Sequence, residues 1–222
     1  MKAAALNEVL SNFGDIQTNI VFKEGNVVRT MAEAKNIIGM MELEEALPQT
    51  FGIYDAHQLR AALNLLDDSE IEFNEDHLVI SSGKTNIKYF YSDPHTLTTA
   101  PDKEIALPSV DVSFTLTSED LAKLRKAASA LKVSTVVMSV GEEGIVLTVT
   151  DPGNMTAPSF ALEVEGSGDI AVGKVLSLKM DNLKFVEGDY SVEVSDKLIS
   201  KFTHTSRPVT YWVALEKPKS NR

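Results

Sequence analysis

The 222-residue sequence contains no cysteine, which excludes disulfide bonds and thiolate chemistry. No apolar run approaches the roughly 20 residues that a membrane-spanning helix requires. The first residues, MKAAALNEVLSNF, are too polar at their centre for a signal peptide. We therefore expect a soluble intracellular protein, whose 43% of hydrophobic residues can build sizeable buried cores.

Recognisable catalytic and metal-binding patterns are scarce. The four histidines are scattered along the chain without the spacing of metal ligands; they are His57, His77, His95 and His204. The sequence contains no G-x-S-x-G nucleophile motif, and its paired acidic residues fall in predicted turns. We therefore predict no enzymatic activity, no catalytic residue, no metal and no cofactor.

One stretch, GDIAVGK at residues 168–174, has the spacing of a phosphate-binding loop. That loop requires a Ser or Thr at the next position to hold Mg²⁺, and a helix whose N-terminus meets the phosphate. Here Val175 follows, and VLSLK then alternates as a strand does. We interpret the stretch as a turn between strands, with a phosphate-loop ATPase as the alternative.

Three segments have the apolar spacing of amphipathic helices. They span residues 5–13, 55–67 and 117–131, and a shorter fourth candidate spans residues 179–185. Most of the remaining sequence alternates apolar and polar side chains, which is typical of strands. Three predicted strands follow each helix: 16–22, 26–32 and 36–43; 70–74, 77–82 and 86–91; 134–140, 145–150 and 159–165; 189–194, 198–204 and 209–216.

The order β-α-β-β-β therefore recurs four times, although the first copy lacks its leading strand. Repeats of this size need neighbours to bury their apolar faces, so two copies are expected to form one domain. Residues 93–109 carry three prolines without periodicity and suit an extended connector. We predict an α+β fold with an N-terminal domain at 1–108 and a C-terminal domain at 109–222.

The formal net charge of −11 is typical of a protein that does not bind nucleic acid, yet cations occur on the predicted helices. Winding the third helix at 100° per residue places Lys123 and Lys126 opposite its apolar stripe and Arg125 on the flank. Because charges are screened over about 8 Å at physiological salt, this face could be locally cationic. An ordinary solvated helix face is the alternative.

The chain resembles sliding clamps, the processivity factors of DNA polymerases, and most closely those of T-even-type bacteriophages. The resemblance covers essentially the whole chain. It rests on the fourfold repeat and on the order and spacing of LSNFGDIQTNIVFKEGN, FGIYDAHQLRAALNLLDDSEIE, LTSEDLAKLRKAAS, MDNLKFVEGDYSVEV and YWVALE. It implies a DNA-clamp fold in which three chains close into a ring, with helices lining a central hole and sheets outside.

The resemblance also implies a function and partners. Such a homotrimeric ring encircles duplex DNA without reading its sequence and tethers the replicative DNA polymerase. An ATP-dependent clamp-loader complex opens the ring, in the cytoplasm of the infected bacterial host. The alternative is a two-domain phage structural or adaptor protein with no DNA role.

The resemblance implies three groups of functional residues. The expected DNA-facing residues are Lys123, Lys126, Arg125, Arg60, Lys179, Lys184 and Lys2. The expected subunit-interface residues are Lys88, Tyr89, Tyr91, Phe160, Glu163 and Glu165. The expected partner-peptide pocket comprises Leu107, Pro108, Val110, Trp212 and Leu215. The first helix departs from the family pattern, because relatives usually carry lysines where this chain has Ala5, Glu8 and Ser11.

Overall fold

The computed structural model describes residues 1–103, 105–140, 144–170 and 175–217. The chain divides into two units, Met1–Lys103 and Glu104–Arg222, and this boundary falls inside the predicted connector. Each unit combines few helices with many strands, in agreement with the predicted α+β class. Much of the GDIAVGK stretch, including Lys174, lies outside the described residues.

The first unit, whose residues are all described, consists of antiparallel strands and two helices. Its elements are α1 (Ala3–Ile16), β1 (Ile20–Phe22), β2 (Gly25–Met31), β3 (Ile37–Leu47), β4 (Phe51–Ile53), α2 (Ala56–Leu63), β5 (Glu70–Phe73), β6 (His77–Ser82), β7 (Thr85–Phe90) and a 3₁₀ turn at Pro94–Thr96. Strand β1 pairs with β4, β2 pairs with β3, and β5, β6 and β7 form a three-stranded sheet in that order.

The two helices of the first unit contact each other and bury the apolar stripes that the sequence predicts. On α1 the stripe of Leu6, Val9, Leu10 and Phe13 is fully buried. Helix α2 begins where the Asp55 side chain accepts a hydrogen bond from the backbone N–H of Gln58 at 2.9 Å, an N-cap that satisfies one free helix donor. The polar faces of both helices are thereby left toward solvent.

The second unit repeats this plan with one long helix. Its elements are β8 (Val112–Leu116), α3 (Ser118–Leu131), β9 (Thr135–Val140), β10 (Ile145–Thr150), β11 (Phe160–Val164), β12 (Gly166–Gly168), β13 (Leu176–Lys179), a 3₁₀ turn at Met180–Asn182, β14 (Tyr190–Ser195), β15 (Ile199–His204) and β16 (Val209–Ala214). Strands β11, β10, β9 and β13 form one antiparallel sheet in that order, and β12, β8, β14, β15 and β16 follow one another in a second array.

Helix α3 is the most sharply bounded of the three. The Thr117 hydroxyl accepts a hydrogen bond from the backbone N–H of Asp120 at 3.1 Å, which caps the N-terminus. Leu121, Leu124 and Ala128 bury the inner stripe. The helix stops at Lys132, which adopts the left-handed conformation with φ of 54°. The polar face of α3 therefore carries every charged side chain of the helix.

The predicted fourth helix at residues 179–185 is wrong, because the chain forms only the 3₁₀ turn at Met180–Asn182. An isolated helix of two turns is marginal, since its nucleation cost is spread over few hydrogen bonds. Tertiary packing decides the outcome here: Phe185 stacks on Tyr211 with ring centroids 4.5 Å apart. The Tyr190 hydroxyl also donates to the Val186 carbonyl at 2.6 Å, which holds this segment extended.

Gly188 occupies a position where the backbone and the packing both exclude a side chain. Its φ of +147° lies in a region that L side chains rarely adopt, and a Cβ there would overlap the His204 ring. The ring cannot move aside easily, because it is buried and its Nδ1 accepts hydrogen bonds from the N–H groups of Ser206 and Arg207. Its Nε2 lies 3.1 Å from the Glu187 carbonyl.

We expect Gly188→Ala to lower the free energy of unfolding by about 3 kcal/mol, since backbone strain and overpacking add. Thermal denaturation followed by circular dichroism should show a fall in Tm of about 6–12 °C for a chain of this size. Gly25→Ala is the matched control, because Gly25 also has a positive φ, of 109°, but has no atom within 4 Å of the added Cβ. Equal losses in the two variants would contradict the packing argument.

Candidate nucleic-acid interface and strand edges

The exposed face of α3 carries three of the predicted cations, which differ in whether they already bind another group of the chain. Lys123 forms ion pairs with Glu119 at 2.8 Å and Asp120 at 3.7 Å, and the hydrogen bond to Glu119 raises the pKa of Lys123. Lys126 is exposed, and within the described ranges it has no hydrogen-bond or ion-pair partner. Lys126 is thus the cation of α3 best able to meet an external anion.

Arg125 has a partly structural role. Its guanidinium Nη2 donates a hydrogen bond to the carbonyl of Leu183, 58 residues away in sequence. This bond holds the segment after the 3₁₀ turn against the C-terminal half of α3. Arg125 is exposed, so it adds positive charge to this surface as well as fixing the segment.

A groove of about 490 Å³ lies between the C-terminal half of α3 and the segment around residues 180–184. Its charged and hydroxyl-bearing lining residues are Arg125, Ser129, Lys132, Ser134, Asp181 and Lys184. Three of these side chains are cations and one is an anion, so the groove has positive charge in excess. It can accommodate phosphate oxygens through charge-assisted hydrogen bonds.

Lys132 was missed by the sequence reasoning. It directly follows the predicted helix 117–131, and a lysine there is ordinarily counted as a helix C-cap rather than as part of the polar face. Its exposed side chain lines the groove, and no partner for it occurs in the part of the chain that the structure describes. Its place at the end of the basic stretch KLRKAASALK, residues 123–132, was the available signal.

The helices of the first unit are poor in free cations. Helix α1 contains no Lys or Arg and exposes Glu8 and Asp15. Lys2 precedes α1 and forms an ion pair with Glu70 at 3.7 Å. Arg60 on α2 is half-buried, and its Nε is shielded from solvent. The cationic character expected for all the helices is therefore concentrated on α3 in the second unit.

Two further predicted cations lie near the 3₁₀ turn of the second unit. Lys179, at the end of β13, forms an ion pair with Glu216 at 3.9 Å. Lys184 is exposed and lines the groove beside α3. Of this pair, Lys184 is the one that the structure brings together with Arg125 and Lys132.

Strand β7 forms an edge of the first unit's three-stranded sheet, where its described hydrogen-bond partner is β6. Ile87 and Tyr89 lie opposite the buried Ile80 and Leu78. Lys88 and Phe90 therefore lie on the other face, where the Lys88 ammonium sits 4.6 Å from the centroid of the Phe90 ring. The Phe90 side chain is 58% exposed, which is unusual for a residue of this size.

The two predicted interface tyrosines have contacts within their own unit. The Tyr89 hydroxyl donates to Gln58 Oε1 of α2 at 3.0 Å, and burial raises the pKa of Tyr89. Tyr91 lies just beyond the end of β7 and stacks on Phe51 with ring centroids 4.8 Å apart. Tyr91 thus contributes to the packing of the first unit, whereas Tyr89 remains in the edge strand.

Strand β11 forms the corresponding edge in the second unit, and its described sheet partner is β10. Phe160 and Val164 pair with the buried Val149 and Ile145, so they lie on the core side. Glu163 lies on the opposite face and is exposed. Glu165 follows the strand, and its carbonyl accepts a hydrogen bond from the Thr115 N–H at 2.9 Å.

The five residues of the predicted peptide pocket differ widely in exposure. Trp212 and Leu215 are only 6% and 5% exposed and belong to the core of the second unit. Leu107 is half-buried and Pro108 is exposed. Val110 is 53% exposed and lines a cavity together with Ser113 and Ser167. Trp212 and Leu215 do not line this cavity. The accessible members thus all lie between residues 107 and 110.

Within the described residues, no group of three or more His, Cys, Asp or Glu side chains is arranged to hold a metal ion. No helix among the described elements is both long and apolar enough to cross a membrane.

Comparisons with known proteins cover nearly the whole chain. A family model described as "gp45 sliding clamp, C terminal" matches residues 113–217. The chain is 30% identical over 214 residues to the sliding clamp of Vibrio phage KVP40, covering 94% of this chain and 96% of the relative. It is 26% identical over 220 residues to the sliding clamp of Escherichia phage RB69, covering 94% and 93%.

Solved structures at lower identity share the fold. The structure described as the C-terminal region of FEN-1 bound to A. fulgidus PCNA has a TM-score of 0.72 at 15% identity, covering 98% of this chain and 97% of the other. Proliferating Cellular Nuclear Antigen from Entamoeba histolytica has a TM-score of 0.67 at 17% identity, with coverages of 97% and 96%.

Proposed function

Because this chain belongs to the sliding-clamp family of T-even-type phages, we propose that three copies form a ring that encircles duplex DNA. The ring tethers the replicative polymerase in the cytoplasm of the infected host and catalyses no reaction itself. A separate ATP-dependent clamp loader opens it. The observation that carries the proposal is that Lys126 and Lys132 are exposed and, among the described residues, unpaired on a protein whose net charge is −11.

Contact with DNA is proposed to be made mainly by α3 of each chain. The unpaired Lys126 and Lys132 supply the free charges, and Arg125 and Lys184 flank the groove between them and the 3₁₀ turn. Phosphates attract these ammonium groups without any contact to bases, so the grip is independent of sequence. Lys123, Arg60, Lys179 and Lys2 contribute less, because each is ion-paired or partly buried.

The concentration of unpaired cations at α3 explains how a protein with a negative net charge can bind DNA. Charges on the far side of a sheet lie beyond the screening length of about 8 Å at physiological salt. The local excess of cations on α3 then determines the interaction. Retention on DNA is expected to come from encirclement, because a few weak phosphate contacts in each chain allow sliding.

The joint between subunits is proposed to form by addition of β7 of one chain to β11 of the next, which satisfies both free strand edges. In such a continuous sheet the outer face carries Lys88 on one side and Glu163 on the other. On the core face, Tyr89 of one strand and Phe160 of the other both lie along the joint. Glu165 flanks the joint and Tyr91 supports it from within the first unit.

Partner peptides are proposed to dock at residues 107–110, where Leu107, Pro108 and Val110 are accessible to different degrees. The FEN-1 segment bound to the A. fulgidus clamp supports peptide docking as a mode of recruitment. Trp212 and Leu215 are the less favoured members of the predicted pocket, since a docking residue must expose some apolar surface.

The decisive experiment measures topological retention. The clamp is loaded on nicked circular DNA with its cognate loader and ATP, and the complex is isolated by gel filtration. We expect it to persist on the circle and to be lost once a restriction enzyme linearises the DNA. Sedimentation should give about 73 kDa, three times 24.2 kDa. A monomer that binds circular and linear DNA equally would favour an adaptor protein instead.

A further inference from the structure

The first half of the predicted connector is attached to the first unit at successive points. The Ser92 N–H donates to the Gly52 carbonyl at 2.9 Å, and the Thr98 N–H donates to Asn19 Oδ1 at 2.9 Å. Further along, the segment meets the side chains of Lys23 and Arg29. Residues 92–103 therefore form a fixed strap rather than a free linker.

Arg29 makes the most concentrated of these attachments. Its Nη1 lies within hydrogen-bond distance of the carbonyls of three consecutive residues, Pro101 at 2.9 Å, Asp102 at 2.6 Å and Lys103 at 3.2 Å. Because Nη1 carries two hydrogens, one of them is shared between two of these carbonyls. Hydrogen bonds from an ionised donor are stronger than those between neutral groups. Arg29 projects from the middle of β2, whose backbone is held by its pairing with β3. The attachment point is therefore rigid.

An ion pair beside Arg29 supports the same attachment. The Lys23 ammonium contacts the Asp102 carboxylate, and this hydrogen bond lowers the pKa of Asp102. Because the Asp102 side chain is 72% exposed, this pair is weakened by solvent and salt. Arg29, which binds backbone rather than a mobile side chain, is the stronger restraint on the path of the strap.

The chain is fixed again at residue 109 within the second unit. The Ser109 hydroxyl donates to Asp111 Oδ2 at 2.6 Å and lies 2.8 Å from the Ser195 hydroxyl. The same Asp111 oxygen accepts the Asp196 N–H at 2.7 Å. Between the two attachments, residues 105–108 make no hydrogen bond or ion pair to any part of the chain that is described. This interval contains Leu107 and Pro108.

We propose that Arg29 is a positioning residue for the partner-docking segment around residues 107–110; this inference rests on the proposed function. Five chain positions separate Lys103 from Ser109. Without Arg29 the next hydrogen bond that holds the strap to the first unit is that of Thr98, and ten positions separate it from Ser109. The buried Ala100 and the exposed Lys23–Asp102 pair still restrain part of this interval. Each doubling of a free segment makes it about threefold less probable that its two ends lie at their required separation. Loss of Arg29 should therefore weaken the affinity for a docking peptide by about threefold. Ordering the released residues 99–103 when the peptide binds weakens it further.

The test uses the assembled clamp and a C-terminal peptide of the phage's own replicative polymerase, chosen by analogy with the C-terminal region of FEN-1 bound to A. fulgidus PCNA. Affinity is measured by fluorescence anisotropy. Arg29→Gln is expected to weaken peptide binding by about threefold to tenfold. Arg29→Lys should recover most of the loss, because an ammonium also carries several donors for the same carbonyls. Lys35→Gln, at an exposed turn between β2 and β3, is the matched control and should bind as the unaltered protein does.

Two further measurements separate positioning from general stability. Limited trypsin cleavage after Lys103 should become faster in Arg29→Gln, because a released segment is cut more readily, while the mass of the ring, its Tm and its retention on circular DNA stay unchanged. Equal peptide affinities for Arg29→Gln and the unaltered clamp would overturn this inference and leave the proposed function intact. If Arg29→Gln loses the ring, or if Arg29→Lys is as weak as Arg29→Gln in a ring of normal mass, the positioning role is also refuted.

Failure of the proposed function would give a different pattern. In that case the unaltered protein itself would not be retained on circular DNA, whatever the state of Arg29. A retained ring that binds no polymerase peptide would instead reject the docking segment, and the role of Arg29 with it.

Discussion

Reversing the charge of both Lys126 and Lys132 to glutamate is expected to weaken the ring's affinity for short duplex DNA about tenfold or more at 50 mM salt. Both ammonium groups are exposed, and in the described residues neither has a protein partner. Their full charge is therefore available to phosphate. Each phosphate contact contributes about 0.9 to the slope of log affinity against log salt concentration. The double variant removes two lysines from each of three chains, so the slope should flatten by about 1.8 if one chain contacts DNA at a time and by about 5.4 if all three do.

The measurement is a titration of a fluorescent duplex, followed by anisotropy between 50 and 200 mM salt. A matched double variant in the first unit, Lys2→Glu with Arg60→Glu, introduces the same charge change. Since Lys2 is already paired with Glu70 and Arg60 is half-buried, we expect its effect to be less than half as large in free energy. Comparable losses of DNA affinity in the two double variants would mean that both units contribute equally to DNA binding.

Lys88→Glu is expected to break the ring into smaller species at micromolar concentration. In the proposed joint, Lys88 of one chain faces Glu163 of the next, so the substitution replaces an attraction by a repulsion. An exposed ion pair is worth about 0–1 kcal/mol, and like charges directly opposite on paired strands are destabilising. About 1–2 kcal/mol is therefore lost at each joint, and the loss recurs at every joint of a closed ring.

Multi-angle light scattering provides the measurement, with masses expected to fall from about 73 kDa toward the 24.2 kDa of one chain. The charge-swapped variant Lys88→Glu with Glu163→Lys should recover the ring, because it restores opposite charges across the joint. Lys84→Glu, in the turn before β7, is the control for net charge. An unchanged mass for Lys88→Glu at all concentrations would exclude this pairing of edges.

The proposed joint and the proposed DNA contact depend on different surfaces and can be tested independently. Lys88 and Glu163 lie on outer faces of edge strands, whereas Lys126 and Lys132 lie along and beyond α3. A variant that disrupts one should therefore leave the other measurable. Only the monomer–ring equilibrium links them, since separate chains cannot encircle DNA.

The family and the fold were predictable from the sequence. The fourfold order of elements and the spacing of several stretches predicted a clamp of the T-even type. The phage relatives confirm the family, and the structural neighbours confirm the fold. The residues assigned to DNA, to the joint and to the peptide pocket stay predictions. The unit boundary at Lys103 lies within the predicted connector, and the domain limits at 108 and 109 remain a proposal.

The periodicity of the sequence by itself determined α1, α2, α3 and most strands, because a repeating apolar face records locally which side of an element is buried. It failed at residues 179–185, where the packing of Phe185 on Tyr211 outweighs a weak local preference. Tertiary structure alone decided that Arg125 binds the Leu183 carbonyl and that Arg29 gathers three carbonyls of a distant strap. Such partners are remote in sequence, so no local pattern encodes which charges are occupied and which remain free.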